Sequence, residues 1–361
     1  MNIIKQGDSL GLLDEVENGT VQTIYFDPPF KTQRVYRLNP DNEIGFSDIR
    51  KSHQSYIDFI EPLVIKCKNK LALGGSFFFH ICAEQMLIPQ MVCDRHFKRV
   101  QPIFWKKSRS KNNVKTKLGA AVDVIFWCSN AKKPKFNMVY QELDSYYAEH
   151  SYKNEDERGN YALGHIVYTP TQRVTSLEKE YEIALQLKGE QKEKKLDKLR
   201  KRLKAHPDAD LRKLACEKDK DRLYAFTHDN ITYKPEAGWR LSKEKLDELV
   251  ADNRIHFPKK EGANPYKKIY KHESKGKPCM DLWDDIHSIA QGNERRLYPT
   301  EKPEKLIERI IEMSSDEGDI VLDPVAGSGT TGVVAKNMNR DFILFDINPD
   351  AIKIAKERIF T

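Results

Sequence analysis

The first third of the chain alternates short apolar runs with segments whose apolar residues recur at helical spacing. The runs lie at Thr23–Phe26, Ser76–Ile81 and Val122–Trp127, each bounded by glycine, proline or charged residues. Runs of about four to eight bulky residues with such boundaries predict buried strands of a parallel-type sheet. Residues 54–72 and 84–96, which lie between the runs, have the period of amphipathic helices.

The last 60 residues repeat this alternation. Pro303 is placed to open a helix, as proline at the first helical turn allows. One face of that helix carries Leu306, Ile307, Ile310 and Ile311. Strands are predicted at 319–323 and 341–346, and Asn348-Pro349 begins a final helix. Strands and helices in this order form a βαβ unit, so both ends of the chain predict an α/β fold.

The middle of the chain, about 140–290, has a different composition. A capping box at Thr175 and Glu178 predicts the start of a helix, which Leu196, Leu199 and Leu203 continue. Leu211 and Leu214 suggest a second helix after His206-Pro207, and Ser242 is a candidate N-cap for a later one. The charged helices at about 176–222 therefore resemble an insertion that buries little by itself.

Composition and charge argue against a membrane protein, a secreted protein and a protein with a thiolate metal site. The chain has 361 residues, of which 39% are hydrophobic and 32% charged, with a net charge of +7. No run reaches the ~20 apolar residues of a membrane span, the first residues do not resemble a signal peptide, and the six cysteines include no Cys-x-x-Cys pair. These features predict a cytoplasmic protein with no membrane partner and no thiolate metal site.

Residues 106–117 carry six basic and no acidic side chains, which favours a polyanionic partner. For the mixed-charge residues 188–222 a solvated face is the simpler interpretation.

A glycine-rich segment follows the predicted strand 319–323. Gly327-Ser328-Gly329-Thr330-Thr331-Gly332 matches G-x-G-x-x-G between a strand and a helix, and Asp346 ends the next strand. Such glycines let the backbone approach an adenosine-containing cofactor, while the acid can accept hydrogen bonds from a ribose. Val333 stands where a P-loop has lysine, which excludes that motif. The glycines fit a nicotinamide cofactor equally well, but Asp323-Pro324 places a carboxylate beside the loop, which disfavours a pyrophosphate and favours S-adenosylmethionine.

A second candidate loop, Asp27-Pro28-Pro29-Phe30, follows the first predicted strand. Its prolines fix the backbone and leave their carbonyls without neighbouring N–H donors. The loop can present a carboxylate, a rigid carbonyl and an aromatic ring together. A planar exocyclic amine fits this set, because Asp27 and the Pro28 carbonyl can accept its two hydrogens while Phe30 stacks on the ring.

Together the two motifs resemble the amino-methylating DNA methyltransferases of the adenine-N6 type. The motif order, with the catalytic loop first, is similar to that of the permuted β class. The resemblance covers residues 1–130 and 280–361. It implies a Rossmann-like, circularly permuted methyltransferase fold of about seven strands, and many members are homodimers. The chain departs from the family's pattern at Val325, where phenylalanine is usual.

The resemblance and the motifs together assign roles by region and residue. We expect a catalytic half at 1–140, a target-recognition region at 141–290 and a cofactor half at 291–361. The expected catalytic residues are Asp27, Pro28, Pro29 and Phe30. The expected cofactor-binding residues are Asp8, Lys302, Pro303, Asp323, Pro324, Ala326, Gly327, Ser328, Gly329, Thr330 and Asp346. The expected DNA-backbone contacts are Lys106, Lys107, Arg109 and Lys111.

The expected reaction is direct methyl transfer from S-adenosylmethionine to adenine N6 in double-stranded DNA. The base would be flipped out of the helix, and neither a covalent enzyme intermediate nor a metal ion would be needed. A companion restriction enzyme is a further possible partner. Alternatives are a cytosine-N4, RNA or protein methyltransferase of the same chemistry, an NAD-dependent oxidoreductase, and a nucleic-acid-binding module with a degenerate cofactor site. The oxidoreductase has no obvious hydride-transfer acid, since His80 is predicted to face the core from a strand.

Overall fold

The computed structural model describes residues 2–30, 35–37, 44–47, 52–107, 119–143, 145–167, 183, 189–204, 224–235, 238–260, 262–289 and 301–361. Contacts divide the chain into two compact units. The first unit combines Met1–Glu142 with Gly276–Thr361, and the second is Leu143–Lys275.

The strands are β1 Asn2–Gln6, β2 Val21–Phe26, β3 Val35–Arg37, β4 Ile44–Ser47, β5 Leu71–Cys82, β6 Arg99–Lys106, β7 Val122–Ser129, β8 Tyr140–Gln141, β9 Asn154–Asp156, β10 Gly159–His165, β11 Phe226–His228, β12 Ile231–Tyr233, β13 Ile255–His256, β14 Tyr266–Tyr270, β15 Lys277–Pro278, β16 Leu282–Trp283, β17 Ile320–Asp323 and β18 Asp341–Asp346. The helices are α1 Ser9–Leu12, α2 His53–Lys70, α3 Leu87–His96, α4 Ser145–Ser151, α5 Gly189–Lys204, α6 Lys243–Ala251, α7 Glu304–Ser314, α8 Thr330–Asn337 and α9 Pro349–Phe360. Single 3₁₀ turns lie at Leu13–Glu15, Ala83–Gln85 and Lys271–Glu273.

An eight-stranded sheet forms the centre of the first unit, in the order β1-β18-β17-β2-β5-β7-β6-β16. Neighbouring strands run parallel except around β7, which is antiparallel to both β5 and β6. The apolar run at Val122–Trp127 predicted a strand of a parallel-type sheet. The strand is present as β7, but the predicted parallel direction was wrong. A strand buried on both faces has the same apolar run in either direction, so the run does not encode orientation. The predicted α/β, Rossmann-like fold is confirmed.

Helices cover both faces of this sheet. Because successive side chains of a strand point to opposite faces, Phe26 joins one core and Tyr25 the other. The first core takes its buried α-helical side chains from α2 and α3, and the second takes them from α7, α8 and α9. The four apolar side chains predicted on α7 are fully buried, and Pro303 is the N-cap of that helix. Asn348 caps α9 as predicted, with its side chain accepting the Asp350 N–H.

The second unit contains the antiparallel sheet β13-β14-β10-β9 and the hairpin β11-β12. Trp239 and Leu246 are fully buried in its core, and Ser242 caps α6 as predicted. In α5, Leu196 is buried. The predicted capping box at 175–178, the side chains of Leu199 and Leu203 and the second charged helix at 211–214 lie outside the described residues.

Residues 276–289 belong to the first unit, although the sequence analysis assigned them to the middle region. The reason is that β16 pairs with β6 and so extends the central sheet. None of the helices in the described part of the chain is both long enough and apolar enough to cross a lipid bilayer.

Candidate active site

The two loops singled out by the sequence leave the same edge of the central sheet. Strands β2 and β17 are parallel neighbours, with Ile24 opposite Leu322. The first strand runs directly into Asp27, and the second ends at Asp323. In open α/β sheets, ligands bind outside the carboxyl ends of the strands. The structure therefore brings together two motifs that are almost 300 residues apart in the chain.

Asp27 has one paired and one unpaired oxygen. Its Oδ2 accepts a hydrogen bond from Lys302 Nζ, and the two side chains are only 17% and 12% exposed. Its Oδ1 is buried and has no hydrogen-bond partner among the described residues. Buried polar atoms are rarely left unsatisfied, since each one costs roughly 1–3 kcal/mol. This acceptor is therefore available for a ligand.

An aromatic ring completes this part of the site. Phe30, at the end of the loop 27–30, packs against the first core. Lys302 Nζ lies 5.2 Å from the centroid of the Phe30 ring, within the range of a cation–π contact. Lys302 was expected beside the cofactor. Its described contacts are with Asp27 and Phe30, and the cofactor contact stays a prediction.

A polar network lies behind Asp27, inside the sheet. His80 is fully buried in β5, and its Nδ1 is 2.6 Å from the Tyr25 hydroxyl and 3.9 Å from Asp27 Oδ1. Its Nε2 is 3.4 Å from Asp123 Oδ2, and Lys107 Nζ donates to Asp123 Oδ1 at 2.7 Å. Lys107 was expected to contact DNA. In the structure it forms an ion pair with a buried carboxylate.

Charges in this network are balanced. Burial acts to raise the pKa of Asp123, but the hydrogen bond from His80 and the Lys107 ammonium outweigh it and lower the pKa to about 2. Burial raises the pKa of Tyr25 well above its usual value, and the Asp27 carboxylate raises it further. Asp123 is therefore ionised and Tyr25 protonated at neutral pH.

The glycine loop has the geometry that its sequence suggests. Gly327 and Gly329 have φ angles of 52° and 76°, in the left-handed region that favours glycine. Gly332 lies inside α8, where an added Cβ would approach Leu344 Cδ1 to 2.5 Å and Ile359 Cδ1 to 2.6 Å. The first two glycines shape the turn, and the third lets the helix pack closely on the sheet, as in dinucleotide-binding folds.

Two carboxylates support this loop from within. Asp323 accepts hydrogen bonds from the Thr331 hydroxyl at 2.6 Å and the Val325 N–H at 3.0 Å, and burial raises its pKa to about 7. Asp346 accepts from the N–H groups of Gly327 and Asn348, both at 2.8 Å, and burial raises its pKa too. Both acids therefore hold the loop in shape.

An arginine from the last helix, α9, also stabilises the glycine loop through hydrogen bonds. Arg358 Nη1 donates to the Ser328 hydroxyl at 2.9 Å and the Thr330 hydroxyl at 3.1 Å. The same nitrogen lies 2.8 Å from Glu301 Oε1, next to Lys302 in the chain. Arg358 thus connects the glycine loop to the segment that carries the ion-pair partner of Asp27.

The other expected site residues are placed as follows. Asp8 is exposed and caps α1, with its side chain 3.5 Å from the Leu10 N–H. The Pro324 carbonyl accepts from the Ser9 hydroxyl, and the Ala326 N–H donates to Phe345 O at 2.8 Å. Lys106 is exposed at the end of β6, whereas Arg109 and Lys111 lie outside the described residues.

Three contacts around the site were not predicted from the sequence. They are the pair between Lys302 and Asp27, the network around His80, and the Arg358 contacts with the glycine loop. Each joins residues from different elements, and no local pattern marks them. The one available signal was a histidine in an otherwise apolar strand run, because a buried histidine needs polar partners.

Comparisons with known proteins agree with this arrangement. A family model described as DNA methylase, of the N6 and N4 methyltransferases, matches residues 21–357. The Mod subunit of the type III restriction-modification enzyme StyLTI from Salmonella typhimurium is 24% identical over 391 residues, which cover 96% of this chain and 52% of that protein. The DNA adenine methyltransferase YhdJ of Escherichia coli is 47% identical over 79 residues, covering 22% of this chain and 27% of that protein.

One solved structure, the PvuII DNA methyltransferase (cytosine-N4-specific), is 15% identical and superposes with a TM-score of 0.48, covering 98% of this chain and 85% of that one. The chain spans about half the length of the StyLTI subunit. Because the family model matches nearly the whole chain, the chain belongs to the DNA methylase family of N6 and N4 methyltransferases.

Proposed function

We propose that this protein transfers a methyl group from S-adenosylmethionine to adenine N6 in double-stranded DNA. The observation that carries the proposal is the buried Asp27 Oδ1, an acceptor without a partner among the described residues, at the end of a strand beside the glycine loop. An exocyclic amine is the kind of group that such an acceptor would satisfy.

The residues of the glycine loop fit the cofactor. Gly327, Ser328 and Gly329 would hold it, because two left-handed glycines bring the backbone close and α8 begins beside them. Bound S-adenosylmethionine supplies an electrophilic methyl group on a sulfonium centre. The Asp27 carboxylate makes the surroundings suitable for a cation.

On the substrate side, the catalytic loop positions the amine. Asp27 Oδ1 accepts one amine hydrogen, the Pro28 carbonyl accepts the other, and Phe30 stacks on the base. Both hydrogen bonds pull the nitrogen lone pair out of conjugation and turn it towards the methyl donor. A base inside a duplex cannot reach this loop, so it must be flipped out. Since Lys302 lies over the Phe30 ring, the incoming base competes with its ammonium for that face.

Adenine is the favoured target because the loop begins with aspartate, whereas relatives acting on cytosine-N4 more often have serine there. The E. coli relative named above is a DNA adenine methyltransferase, which supports the same choice. Cytosine-N4 methylation by the same chemistry is the second candidate.

The remaining assignments belong to the proposal as well. Lys106, Arg109 and Lys111 contact the DNA backbone, and the second unit reads the target sequence. Exposed aromatic side chains on α4, Tyr146 and Tyr147, are suited to stacking on bases. A homodimer and a companion restriction enzyme are the proposed protein partners.

One assay tests the reaction and its residue together. The protein is incubated with unmethylated genomic DNA and labelled S-adenosylmethionine, and the modified nucleoside is identified by mass spectrometry. Asp27→Asn should reduce N6-methyladenine formation by at least about a hundredfold, because the amide lacks the second acceptor. Its affinity for S-adenosylhomocysteine should stay within about twofold of the wild type.

Asp14→Asn is the matched control, because Asp14 also pairs with a lysine but is exposed. It should leave the rate unchanged. Methylcytosine as the product would refute the adenine assignment, and an active Asp27→Asn variant would refute the site.

A further inference from the structure

His80 lies directly behind the acceptor oxygen of Asp27. The distance of 3.9 Å from its Nδ1 to Asp27 Oδ1 is about 1 Å beyond hydrogen-bonding contact. Because the imidazole is fully buried, its position reflects its polar partners, Tyr25 and Asp123, and not a solvated surface. These contacts link the carboxylate in the site to a second carboxylate on a different strand.

The partners of His80 fix which ring nitrogen carries the proton. Asp123 is ionised and can only accept a hydrogen bond, so its partner Nε2 carries the proton and the Tyr25 hydroxyl donates to Nδ1 at 2.6 Å. A neutral imidazole has a single N–H, which is then on Nε2 and faces Asp123 Oδ2. The nitrogen nearest Asp27 therefore carries a lone pair, and the far nitrogen faces an anion.

Two carboxylates face the imidazole, one near each ring nitrogen. The titratable groups that face His80 are Tyr25 and Asp27 from β2 and the loop after it, and Asp123 from β7. Lys107 reaches the histidine only through Asp123, and the rings of Trp105 and Phe30, at 5.7 Å each, add no charge. As in a catalytic histidine held by a buried aspartate, a carboxylate lies at one ring nitrogen, here Asp123 at 3.4 Å from Nε2, with the roles of the two nitrogens exchanged.

We propose that His80 accepts, through Asp27, the proton that amine methylation releases; this role rests on the proposed function. The N–C bond forms as the S–C bond of the sulfonium breaks, its electron pair stays on the departing thioether, and the proton that the nitrogen loses passes to Asp27 Oδ1. It then moves to His80 Nδ1, while the Tyr25 hydroxyl changes from donor to acceptor. Asp27 is a carboxylate again, and after the product leaves the imidazolium returns the proton through Asp27, whose side chain is 17% exposed, to water. His80 is thus a positioning residue that acts through Asp27.

The pH dependence of single-turnover methylation distinguishes proton transfer from packing. His80→Asn should be slower than the wild type by about 100-fold at pH 6.5, the lower end of the range for general base catalysis. The deficit should shrink towards pH 9, where hydroxide and water replace the imidazole. His96→Asn, which alters a histidine paired with Glu61 on α2, should behave as the wild type at every pH. An equal deficit at all pH values, or none, would overturn the proposal.

A measurement without cofactor or DNA tests the same link. In protein labelled with ¹⁵N-histidine, NMR should show His80 with a bare Nδ1 and a protonated Nε2. Asp27→Asn removes a nearby anion and should lower the pH midpoint of His80 by at least about half a unit. Tyr25→Phe, which removes only a hydroxyl, should shift the Nδ1 signal and serves if His80→Asn does not fold.

The two readouts separate the possible failures. If the wild type methylates no DNA, the proposed function is wrong, and the His80 proposal is decided by the NMR experiment. If methylation is observed but Asp27→Asn leaves the His80 midpoint unchanged, the link between the two residues is wrong.

Discussion

Replacing Gly329 by alanine should destabilise the first unit through two separate effects. Gly329 has a φ of 76°, which costs an L-residue roughly 1–2 kcal/mol. An added Cβ would also lie 2.6 Å from Ala355 Cβ and 3.0 Å from Ala355 Cα on α9. Overpacking of this kind costs roughly 1–3 kcal/mol. The expected loss in free energy of unfolding is therefore about 2–5 kcal/mol.

The assay is equilibrium urea unfolding of the full chain, with thermal melting as a second probe. A loss of this size corresponds to a Tm lower by roughly 4–20 °C, at about 2–4 °C per kcal/mol for a unit of this size. Gly11→Ala is the matched control, because Gly11 lies in a helix and an added Cβ meets nothing within 4 Å. It should leave the chain as stable as the wild type, or more stable by about 0.5–1 kcal/mol.

A second-site change separates the two effects. Ala355→Gly removes the atom that the new Cβ would strike, at a helix-propensity cost of about 1 kcal/mol by itself. In the double variant the steric part, about 1–3 kcal/mol, should be recovered as a favourable coupling energy, while the backbone strain remains. A Gly329→Ala variant as stable as Gly11→Ala, or a double variant with no coupling, would refute this account.

Three further predictions follow from the site. Arg358→Met removes the hydrogen bond to the Ser328 hydroxyl and the ion pair with Glu301, so affinity for S-adenosylhomocysteine, measured by calorimetry, should fall about tenfold, as for the loss of one charged hydrogen bond. Because burial raises the pKa of Asp323 to about 7, the folded chain retains a proton that the unfolded chain releases near pH 4. This stabilisation is complete below pH 4 and is lost as the pH rises through 7. Between pH 5 and pH 8 the free energy of unfolding should therefore fall by roughly 2–3 kcal/mol less in Asp323→Asn than in the wild type. An equal fall in both proteins would contradict the burial argument. Lys106→Glu should weaken binding to all DNA sequences alike and flatten the salt dependence, and a loss confined to one base would contradict a backbone contact.

Local sequence was sufficient to predict the two loops and most of the elements around them. Strand runs, cap residues and the glycine pattern each depend on neighbours in the chain, and β18, α7 and α9 formed where these signals indicated. Strands β1 and β6 were not predicted. The first has only two apolar residues, and the second is interrupted by Gln101 and Pro102.

Contacts between elements were not predictable in the same way. His80 was correctly predicted to face the core, but its partners Tyr25 and Asp123 lie on other strands, and the pairing of those strands is set by the whole sheet. Lys302 and Asp27 are 275 residues apart, so their ion pair depends on the parallel pairing of β2 with β17.

That pairing also sets an order of events during synthesis. Strand β2 emerges early from the ribosome, yet one of its two neighbours in the sheet, β17, is translated almost 300 residues later. At about 5–20 residues per second, that edge of β2 stays unpaired for tens of seconds before β17 is synthesised. Nascent chains should therefore depend on a chaperone that shields an unpaired strand, and ribosome-bound chains stopped before residue 320 should remain sensitive to protease within β2.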